Sequence, residues 1–573
     1  MTTVLREAKA GRMALDKDVE IKLSDGSVLR ADVYRPVKDG KYPALMTYGP
    51  YGKDSHISQF MGEGWARLKA RYPEIVADST SQHMVFERPD PEVWVPYDYI
   101  LIQVDCRGAG RSPGKLDVNS PQEFADFKEA IEWAGQQPWS NGKIGLLGIS
   151  YYAAGQWMVA SYRPKYLAAI LPWAGTCDFY RDRTRHGGIF CNGFVGRWWQ
   201  NSVLNNQHGN AASTLTDFVR GERSTGPASL TPEQLKANRW DYIENVRNHP
   251  TLDAWYRARS ADLSKIEVPA LVVANWGALG LHLRGTIGGF AGIASKEKWL
   301  KIQTGAYFGT FFASPSVAMQ RRFFDRYLKG LDNGWEKEPR AEVVVRSPDD
   351  KVHRVVTSTS WPIEGTQYVK MHLDATNKTL EWRAPLAAAK ANYPAFSEGA
   401  TFISAPLDRD MEICGPVVTK LQLSCSKPDM DMFCTLLAFD SSGKEINFAT
   451  NFEPSPVSQG WLRIALRKLD PVRSTPHLPV HSCDEPRPLK PGEVVEALID
   501  IWPTAVFLPK GSRLALILAG QDYTGTGKPG SSTSGNFLHN DPVDRPRERY
   551  DGEHTVHTGG GRECWLQLPV LPG

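Results

Sequence analysis

The stretch that decides the fold is Gly148-Ile-Ser150-Tyr-Tyr152. It follows an apolar run, Lys143 to Leu147, that is typical of a buried strand, and it precedes a helix-like run, Ala153 to Ser161. The order strand, serine, helix predicts a sharp turn that displays the Ser150 hydroxyl, an arrangement known as a nucleophile elbow. The fifth residue of this motif is usually Gly, and here it is Tyr152. The alternative role for Ser150 is a plain helix N-cap, since serine is favoured there.

Strand-like and helix-like segments alternate on both sides of this motif. Upstream, Val19 to Leu23 and Val28 to Tyr34 flank Ser24-Asp-Gly26 and predict a β-hairpin. Ser120-Pro-Gln-Glu123 predicts a capped helix that runs to about Gln136. Further buried strands are predicted at Tyr42–Tyr48, Tyr99–Asp105, Leu167–Leu171, Val268–Ala274 and Lys298–Ile302. Such alternation is typical of a parallel sheet covered by helices.

Three regions depart from this alternation. Residues 52–95 are polar without a regular period, which predicts an irregular insertion that covers the sheet. Residues 178–262 predict a mostly helical cap, in which Thr231-Pro-Glu-Gln234 opens a helix to about Asn248. Beyond about residue 340, short strands such as Val417 to Ser424 and Arg513 to Leu518 predict an all-β sandwich or jelly roll.

The predicted fold is therefore an α/β-hydrolase domain with an inserted helical cap and a C-terminal jelly roll. The predicted boundaries are 1–177 for the first part of the core, 178–262 for the cap, 263–335 for the second part of the core and 340–573 for the jelly roll.

The composition narrows the classes of function. The chain has 573 residues and a net charge of only +3 without a basic block, which argues against nucleic acid as a partner. No apolar run approaches the ~18 residues of a membrane span. The 8 cysteines are scattered without a C-x-x-C pair, so no structural metal or disulfide scaffold is expected. Without a signal-peptide pattern at the N-terminus, we expect a cytoplasmic enzyme that acts on a small molecule without a cofactor.

Several further motifs carry a family resemblance. They include Gly49-Pro-Tyr51-Gly-Lys53, Asp105-Cys-Arg-Gly108, Pro172-Trp173-Ala-Gly175, Asp178-Phe-Tyr-Arg-Asp182, Ile501-Trp-Pro503 and His557-Thr-Gly559. With these motifs in this order, the chain resembles the cocaine-esterase-like CocE/NonD hydrolases, which are similar to Xaa-Pro dipeptidyl-peptidases. The resemblance runs nearly from end to end, and it also implies a homodimer.

A serine hydrolase needs a nucleophile, a base, an orienting acid and oxyanion donors. Ser150 matches the nucleophile, and the N–H of Tyr151, the residue after it, is the first oxyanion donor. The resemblance implies that the Tyr51 hydroxyl is the second donor; the alternative for Tyr51 is a buried core phenol.

The base and the acid of the family have no counterpart. Ala278 aligns with the usual Asp, and Tyr307 or Thr304 lies where the usual His belongs. His282 and His186 are substitute bases, although each has a structural role as its alternative. Asp178 and Asp182 are candidates for the orienting acid. For each of these carboxylates the alternative is a salt bridge, which is the more common role.

Aromatic side chains predict the substrate pocket. Phe194, Trp198 and Trp199 cluster in the predicted cap, Trp173 ends a predicted strand, and Trp276 follows another. Aromatic walls favour a bulky, largely apolar ligand. Packing between cap and sheet is the alternative role for these residues.

Three hypotheses about function follow. The first is a serine esterase or amidase that uses Ser150 with a non-standard base. The second is a non-hydrolytic enzyme, such as a cyclase, lyase or acyltransferase of secondary metabolism, that uses Tyr51 and Tyr307 for acid–base steps. The third is a catalytically silent binding protein. An imidazole nitrogen within hydrogen-bonding distance of the Ser150 hydroxyl would favour the first, and its absence would favour the others.

Overall fold

A computed structural model describes residues 3–450, 453–525 and 538–572 of the chain. The chain begins with seven strands: β1 Thr3–Ala8, β2 Gly11–Lys22, β3 Val28–Pro36, β4 Tyr42–Gly49, β5 Ile100–Asp105, β6 Ser140–Ile149 and β7 Leu167–Trp173. Five helices accompany them: α1 Ile57–Met61, α2 Glu63–Arg71, α3 Pro91–Trp94, α4 Pro121–Gly135 and α5 Tyr151–Ser161. The predicted hairpin is confirmed, because β2 and β3 pair antiparallel. Helix α4 also begins at its predicted cap, where the Ser120 side chain accepts a hydrogen bond from the Glu123 N–H.

Residues 178–262 form the segment between the two parts of the α/β region, and we call them the inserted segment. It contains a π-helical turn at Phe179–Thr184, the strands β8 Arg185–His186 and β9 Ile189–Phe190, and the helices α6 Asn192–Trp198, α7 Pro232–Ala237, α8 Tyr242–Asn248 and α9 Ala254–Ala258.

The α/β region then resumes with the strands β10 Ala270–Asn275, β11 Lys298–Gln303 and β12 Ala341–Arg346, and the helices α10 Leu283–Gly292, α11 Tyr307–Phe312 and α12 Ser314–Leu328. Its sheet has the order β1-β2-β3-β5-β4-β6-β7-β10-β11-β12. The first three strands are antiparallel to their neighbours, and the pairs from β5–β4 to β11–β12 are parallel.

The carboxyl ends of these parallel strands meet at one edge of the sheet, where α/β folds bind ligands. Tyr51 follows β4, Ser150 follows β6, Trp173 ends β7, His282 follows β10 and Tyr307 follows β11. Candidate residues from five distant parts of the sequence therefore converge at this edge.

Two predictions about the helices were wrong. Residues 52–95 are not irregular throughout, since they contain α1, α2 and α3. The helix predicted from Thr231 to about Asn248 is two helices, α7 and α8, because Asp241 caps a new helix by accepting a hydrogen bond from the Glu244 N–H. No helix in the three described ranges is both long and apolar enough to cross a membrane.

The C-terminal β domain follows β12. Its strands are β13 Val352–Ser358, β14 Gln367–Asp374, β15 Thr379–Glu381, β16 Ala389–Pro394, β17 Ala400–Ser404, β18 Met411–Cys425, β19 Asp431–Phe439, β20 Phe448–Ala449, β21 Pro454–Ser455, β22 Ser458–Arg463, β23 Val495–Leu508, β24 Arg513–Ala519, β25 Glu553–Thr558 and β26 Trp565–Val570, with the helix α13 Arg547–Tyr550. Strand β12 pairs parallel with β11 and antiparallel with β13, so the α/β sheet continues into this domain.

Candidate active site

Ser150 lies on the turn between β6 and α5 with φ 56° and ψ −110°. A positive φ is rare for a residue with a side chain, and this strained backbone is characteristic of a nucleophile elbow. The Ser150 N–H donates to the carbonyl oxygens of Trp173 and Ala174, both at 3.1 Å. Its side chain makes no capping hydrogen bond to α5. The turn thus has the geometry of the predicted elbow. Ser150 occupies the N-cap position of α5 without capping the helix through its side chain, and its role as nucleophile stays a prediction.

Two glycines allow the turn to fit between its neighbours. A Cβ on Gly148 would lie 2.5 Å from the Tyr152 Cβ, and a Cβ on Gly175 would lie 2.4 Å from the Ala153 Cβ. Both distances are far shorter than a normal carbon–carbon contact of about 3.5–4.0 Å. Close packing of the elbow against the loop after β7 thus requires glycine at both positions.

A buried glutamate, which the sequence hypotheses did not include, faces the elbow. The Ser150 side chain lies close enough to the Glu87 carboxyl to lower its pKa, and the Tyr151 N–H donates to Glu87 Oε2 at 3.4 Å. The carbonyl oxygen of Glu87 also accepts a hydrogen bond from the Ile149 N–H at 3.0 Å. Both the side chain and the backbone of Glu87 therefore contact the strand-to-helix turn.

Burial raises the pKa of Glu87 to about 8. The Ser150 side chain, the Tyr151 N–H and the charges of Arg183 and Arg88 each lower this pKa and limit the rise. The carboxyl is therefore mostly protonated at neutral pH and ionises in the mildly alkaline range. A carboxyl with a pKa near the working pH is suited to proton transfer.

Tyr51 packs against Tyr151, the residue whose N–H is the other expected oxyanion donor. The Tyr51 and Tyr151 rings meet edge to face with centroids 5.6 Å apart. The Tyr51 hydroxyl accepts a hydrogen bond from Trp198 Nε1 at 2.6 Å, which leaves its own proton free to donate. Burial and the nearby Glu87 raise the pKa of Tyr51 well above its usual value, so this hydroxyl stays protonated.

His282 lies at the same edge, in contact with Tyr307. Their rings meet edge to face at 5.8 Å. Burial and the positive charge of Arg183 lower the pKa of His282 to about 3, so the imidazole is neutral. Within the described residues, neither of its ring nitrogens has a hydrogen-bond partner, and no imidazole nitrogen bonds to Ser150. His282 as the base stays a prediction without a supporting contact. Taken alone, the lack of an imidazole at Ser150 among the described residues favours the non-hydrolytic enzyme or the silent binding protein.

His186 has partners on the side of the C-terminal domain. Its Nδ1 lies 2.9 Å from Nε2 of His539, and Nδ1 of His539 lies 2.7 Å from Asp522. The His186 ring also packs against Trp461 and Trp502. These contacts favour the structural alternative for His186 over the role of base.

Of the residues aligned with the missing histidine, Thr304 donates its hydroxyl to Asp350 at 3.1 Å.

The aromatic candidates of the inserted segment lie in two different places. Trp198 contacts Tyr51, stacks on Tyr151 at 6.0 Å and on Phe194 at 6.3 Å, so these residues adjoin the elbow. Trp199 lines a cavity of about 200 Å³ together with Asp117, Val118, Trp240, Tyr242, Asn245, Trp255 and Arg259.

Trp173 and Trp276 make packing contacts. Trp173 is fully buried against Phe311. The indole N–H of Trp276 donates to the Val344 carbonyl at 2.7 Å, and its ring packs on Trp361. These contacts favour the packing alternative for both residues.

Charged residues crowd the start of the inserted segment. Asp178 pairs with Arg181 at 2.7 Å and Asp182 pairs with Arg284 at 2.5 Å, which confirms the salt bridges expected for these carboxylates. Arg183, which directly follows Asp182, has no carboxylate within 4.0 Å among the described residues. Its guanidinium instead lies over the Tyr151 ring at 5.0 Å and the Trp198 ring at 4.5 Å.

Sequence reasoning missed Glu87 and Arg183 for different reasons. Glu87 lies in Phe86-Glu-Arg-Pro-Asp-Pro91. This stretch belongs to residues 52–95, which were predicted to be an irregular insertion because their apolar residues show no regular period. The only signal was a charged pair between an aromatic residue and two prolines. Arg183 is one of three arginines within five residues, Arg181 to Arg185, and this excess of positive charge was the visible sign.

Comparisons with known proteins agree with this architecture. The family model for X-Pro dipeptidyl-peptidase (S15 family) matches residues 25–306, and that for the X-Pro dipeptidyl-peptidase C-terminal non-catalytic domain matches residues 333–567. A cocaine esterase of Rhodococcus sp. (strain MB1 Bresler) is 23% identical, with 98% of this chain and 99% of the relative aligned. A putative Xaa-Pro dipeptidyl-peptidase of Rhodopirellula baltica is 22% identical over 87% of this chain and 81% of its own.

Among solved structures, a CocE/NonD family hydrolase from Staphylococcus aureus superposes with a TM-score of 0.85 at 30% identity. The match covers 100% of this chain and 96% of that one. Because the similarity extends over both parts of the α/β region, the inserted segment and the C-terminal domain, the chain belongs to the CocE/NonD family of serine hydrolases with the α/β-hydrolase fold.

Proposed function

We propose that the protein hydrolyses an ester or amide of a bulky, partly apolar small molecule through an acyl intermediate on Ser150, with Glu87 as the base. The observation that carries the proposal is the place of Glu87, a buried carboxyl whose pKa is raised to about 8, which contacts the Tyr151 N–H and influences the Ser150 side chain at the elbow. This carboxyl supplies the proton acceptor that the missing histidine would provide in related enzymes.

In the first half of the proposed reaction, ionised Glu87 accepts the proton of the Ser150 hydroxyl as its Oγ bonds to the substrate carbonyl carbon. The negative charge that develops on the carbonyl oxygen is stabilised by the Tyr51 hydroxyl and the Tyr151 N–H. The long 3.4 Å contact between this N–H and Glu87 is weak enough to be exchanged for one to the substrate. The carbon–oxygen or carbon–nitrogen bond then breaks, and the leaving group takes the proton back from Glu87.

In the second half, Glu87 accepts a proton from water as the water oxygen attacks the acyl carbon. The bond to Ser150 Oγ breaks, Ser150 recovers the proton from Glu87, and the acid product leaves. One carboxyl thus acts as base and then as acid in each half, as a histidine does in the usual triad.

The inserted segment is proposed to act as the cap over this site. Trp198 from α6 contacts both Tyr51 and Tyr151, and Phe194 extends the aromatic surface. Such a wall fits an apolar group of the substrate and keeps water away from the oxyanion donors.

The proposal is tested with a fluorophosphonate probe and a panel of p-nitrophenyl esters between pH 6 and 9.5. We expect labelling and turnover in the wild type, none in Ser150→Ala, and a loss of about 10²–10⁴-fold in Glu87→Gln. The value of kcat/KM should rise to a plateau above a pKa near 8. Glu92→Gln is the matched control, because Glu92 is a buried glutamate of the same segment that bonds Thr80 instead.

The other outcomes separate the competing hypotheses. Full labelling of Glu87→Gln would exclude Glu87 as the base and return attention to His282. Activity retained by Ser150→Ala on a substrate would favour the non-hydrolytic enzyme. Neither labelling nor turnover in the wild type, together with ligand binding, would favour the silent binding protein.

A further inference from the structure

Arg183 is a buried cation without a counter-ion. Its side chain lies in the π-helical turn Phe179–Thr184, and only 5% of the residue is exposed. Within the described residues, its guanidinium makes neither a hydrogen bond nor a salt bridge, whereas its neighbours Arg181 and Arg185 are both paired, with Asp178 and Asp544. The nitrogens of Arg183 are not among the fully buried unpaired polar atoms of the described residues, so they keep contact with solvent.

The contacts that Arg183 does make satisfy none of its N–H groups. It lies over the Tyr151 and Trp198 rings at 5.0 and 4.5 Å. Such cation–π contacts recover part of the lost solvation, yet the five N–H donors of a guanidinium lie in its plane and point away from a ring that it covers. These donors remain available to a ligand.

Both rings connect Arg183 to the proposed catalytic groups. Tyr151 directly follows Ser150, and the Trp198 indole N–H bonds to the Tyr51 hydroxyl. The charge of Arg183 also lowers the pKa of Glu87, of Glu123 and of His282, as only a nearby cation can. The guanidinium is therefore about one aromatic ring away from the elbow and from the expected oxyanion donor.

The acidic groups nearby neutralise it only in part at neutral pH, where Glu87 is mostly protonated and Glu123 is about half protonated. Burial raises the pKa of Glu87 to about 8 and that of Glu123 to about 7, and His282 is neutral. Arg88 is a second cation beside Glu87, but it is fully buried behind the Tyr152 ring at 4.5 Å, where no ligand reaches it. The site is thus positively charged at the place where Arg183 borders it.

We infer that Arg183 binds a carboxylate of the substrate, so that this hydrolase acts on esters or amides that carry a free carboxylate a few bonds from the scissile carbonyl. The inference rests on the proposed hydrolase function and specifies its substrate class. The planar fork of a guanidinium matches a carboxylate with two parallel hydrogen bonds. Binding of the carboxylate would supply the missing counter-ion of Arg183 and would hold the carbonyl beside Ser150.

The test compares neutral p-nitrophenyl butyrate with the mono-p-nitrophenyl esters of succinate, glutarate and adipate. We expect wild-type kcat/KM to be at least tenfold higher for one of the three charged esters. Arg183→Met should abolish this preference, which is compared as a ratio of kcat/KM values on the alkaline plateau because loss of the Arg183 charge also raises the pKa of Glu87. Arg183→Lys should keep part of the preference, because it retains the charge and loses the fork.

Arg322→Met is the matched control. Arg322 of α12 also lies over an aromatic ring, Trp335 at 5.6 Å, but it is already paired with Glu338 at 2.6 Å. Its variant should keep the preference for the charged ester. A wild type that prefers the neutral ester, or an Arg183→Met variant that loses both activities equally while Arg183→Lys does not restore the preference, would overturn the inference.

A binding measurement separates this inference from the proposed function. If no ester is turned over, calorimetric titration of Ser150→Ala with glutarate and with its neutral diamide still reports the carboxylate site. Binding of glutarate that weakens in Ser150→Ala/Arg183→Lys and disappears in Ser150→Ala/Arg183→Met would support the carboxylate site while the hydrolase proposal fails. If none of the dicarboxylates binds to Ser150→Ala, Arg183 does not hold a carboxylate.

Discussion

The pair formed by Ser150 and Glu87 has opposite requirements for folding and for catalysis. The fold favours a protonated Glu87, because burial raises the pKa of this carboxyl to about 8. The proposed reaction needs the ionised form. A carboxylate that the protein disfavours is a strong base once formed, which is how enzymes adjust carboxyl groups to proton transfer near neutral pH.

Glu87→Gln should change the pH dependence of stability. Since the pKa of Glu87 in the folded protein, about 8, lies above that of an unfolded glutamate, about 4.3, the folded state binds more protons between these values. The stabilisation is full below pH 4.3 and is lost as pH rises towards 8. Glu87→Gln removes this loss. The free energy of unfolding of the variant minus that of the wild type should therefore be roughly 3–5 kcal/mol higher at pH 8.5 than at pH 4.5.

Denaturant titrations of both proteins at the two pH values measure this difference. An unchanged difference would show that Glu87 is ionised in the fold as it is in the unfolded chain. A difference of opposite sign would mean that the fold stabilises the carboxylate, contrary to the effect of burial.

At the scale of elements, helix α5 is positioned by the loop that follows β7. The Gly175 N–H donates to the Thr286 hydroxyl of α10 at 3.0 Å, and the Gly175 carbonyl accepts from the Trp157 indole at 3.4 Å. One glycine therefore joins α5, β7 and α10 at the start of the helix that carries the Tyr151 N–H.

Gly175→Ala should destabilise the protein and weaken catalysis together. The added Cβ would lie 2.4 Å from the Ala153 Cβ and 2.8 Å from the Ala154 nitrogen, so α5 must shift at about 1–3 kcal/mol. Gly155→Ala is the control in the same helix. Its Cβ would meet only Phe127 at 3.8 Å, and we expect a gain of roughly 0.5–1 kcal/mol. Thermal unfolding and fluorophosphonate labelling measure both effects; similar melting temperatures for the two variants would contradict the steric argument.

At the scale of the whole molecule, buried ion pairs join the inserted segment to the C-terminal domain. Asp544 bonds Arg185 of the inserted segment at 2.7 Å and Arg463 of β22 at 2.9 Å. The Arg463 N–H also donates to the Gly187 carbonyl at 2.8 Å. The segment that carries Trp198 and Arg183 is thus held from the side of the C-terminal domain, which gives that domain a part in shaping the proposed site.

Asp544→Asn should cost about 3–5 kcal/mol of stability, because it leaves the buried Arg185 guanidinium without a carboxylate partner, while Arg463 keeps Asp431. The control is Asp551→Asn, which breaks an exposed pair with Arg547 and should cost less than about 1 kcal/mol. Differential scanning calorimetry at one pH compares the two variants. Equal and small losses would mean that the network contributes no more than a surface pair.

Much of the fold was predictable from local patterns. The β2–β3 hairpin, the cap of α4 and the strand–turn–helix around Ser150 each depend on residues close in sequence, such as the turn at Asp25-Gly26 or the cap at Ser120. The helix predicted from Thr231 failed at Asp241, because one good cap inside a polar run starts a second helix. The pattern of apolar residues could not reveal that break.

The sequence by itself determined the α/β-hydrolase fold and the strand–turn–helix of the elbow, since these follow from local periodicity and from motifs. Only the tertiary structure brought Glu87 and Arg183 to the elbow. Glu87 is 63 positions from Ser150 in the sequence, and its pKa depends on burial that the folded chain alone creates. Arg183 lacks a counter-ion only because its acidic neighbours in sequence pair with other arginines, and no local pattern records which partners the fold will choose.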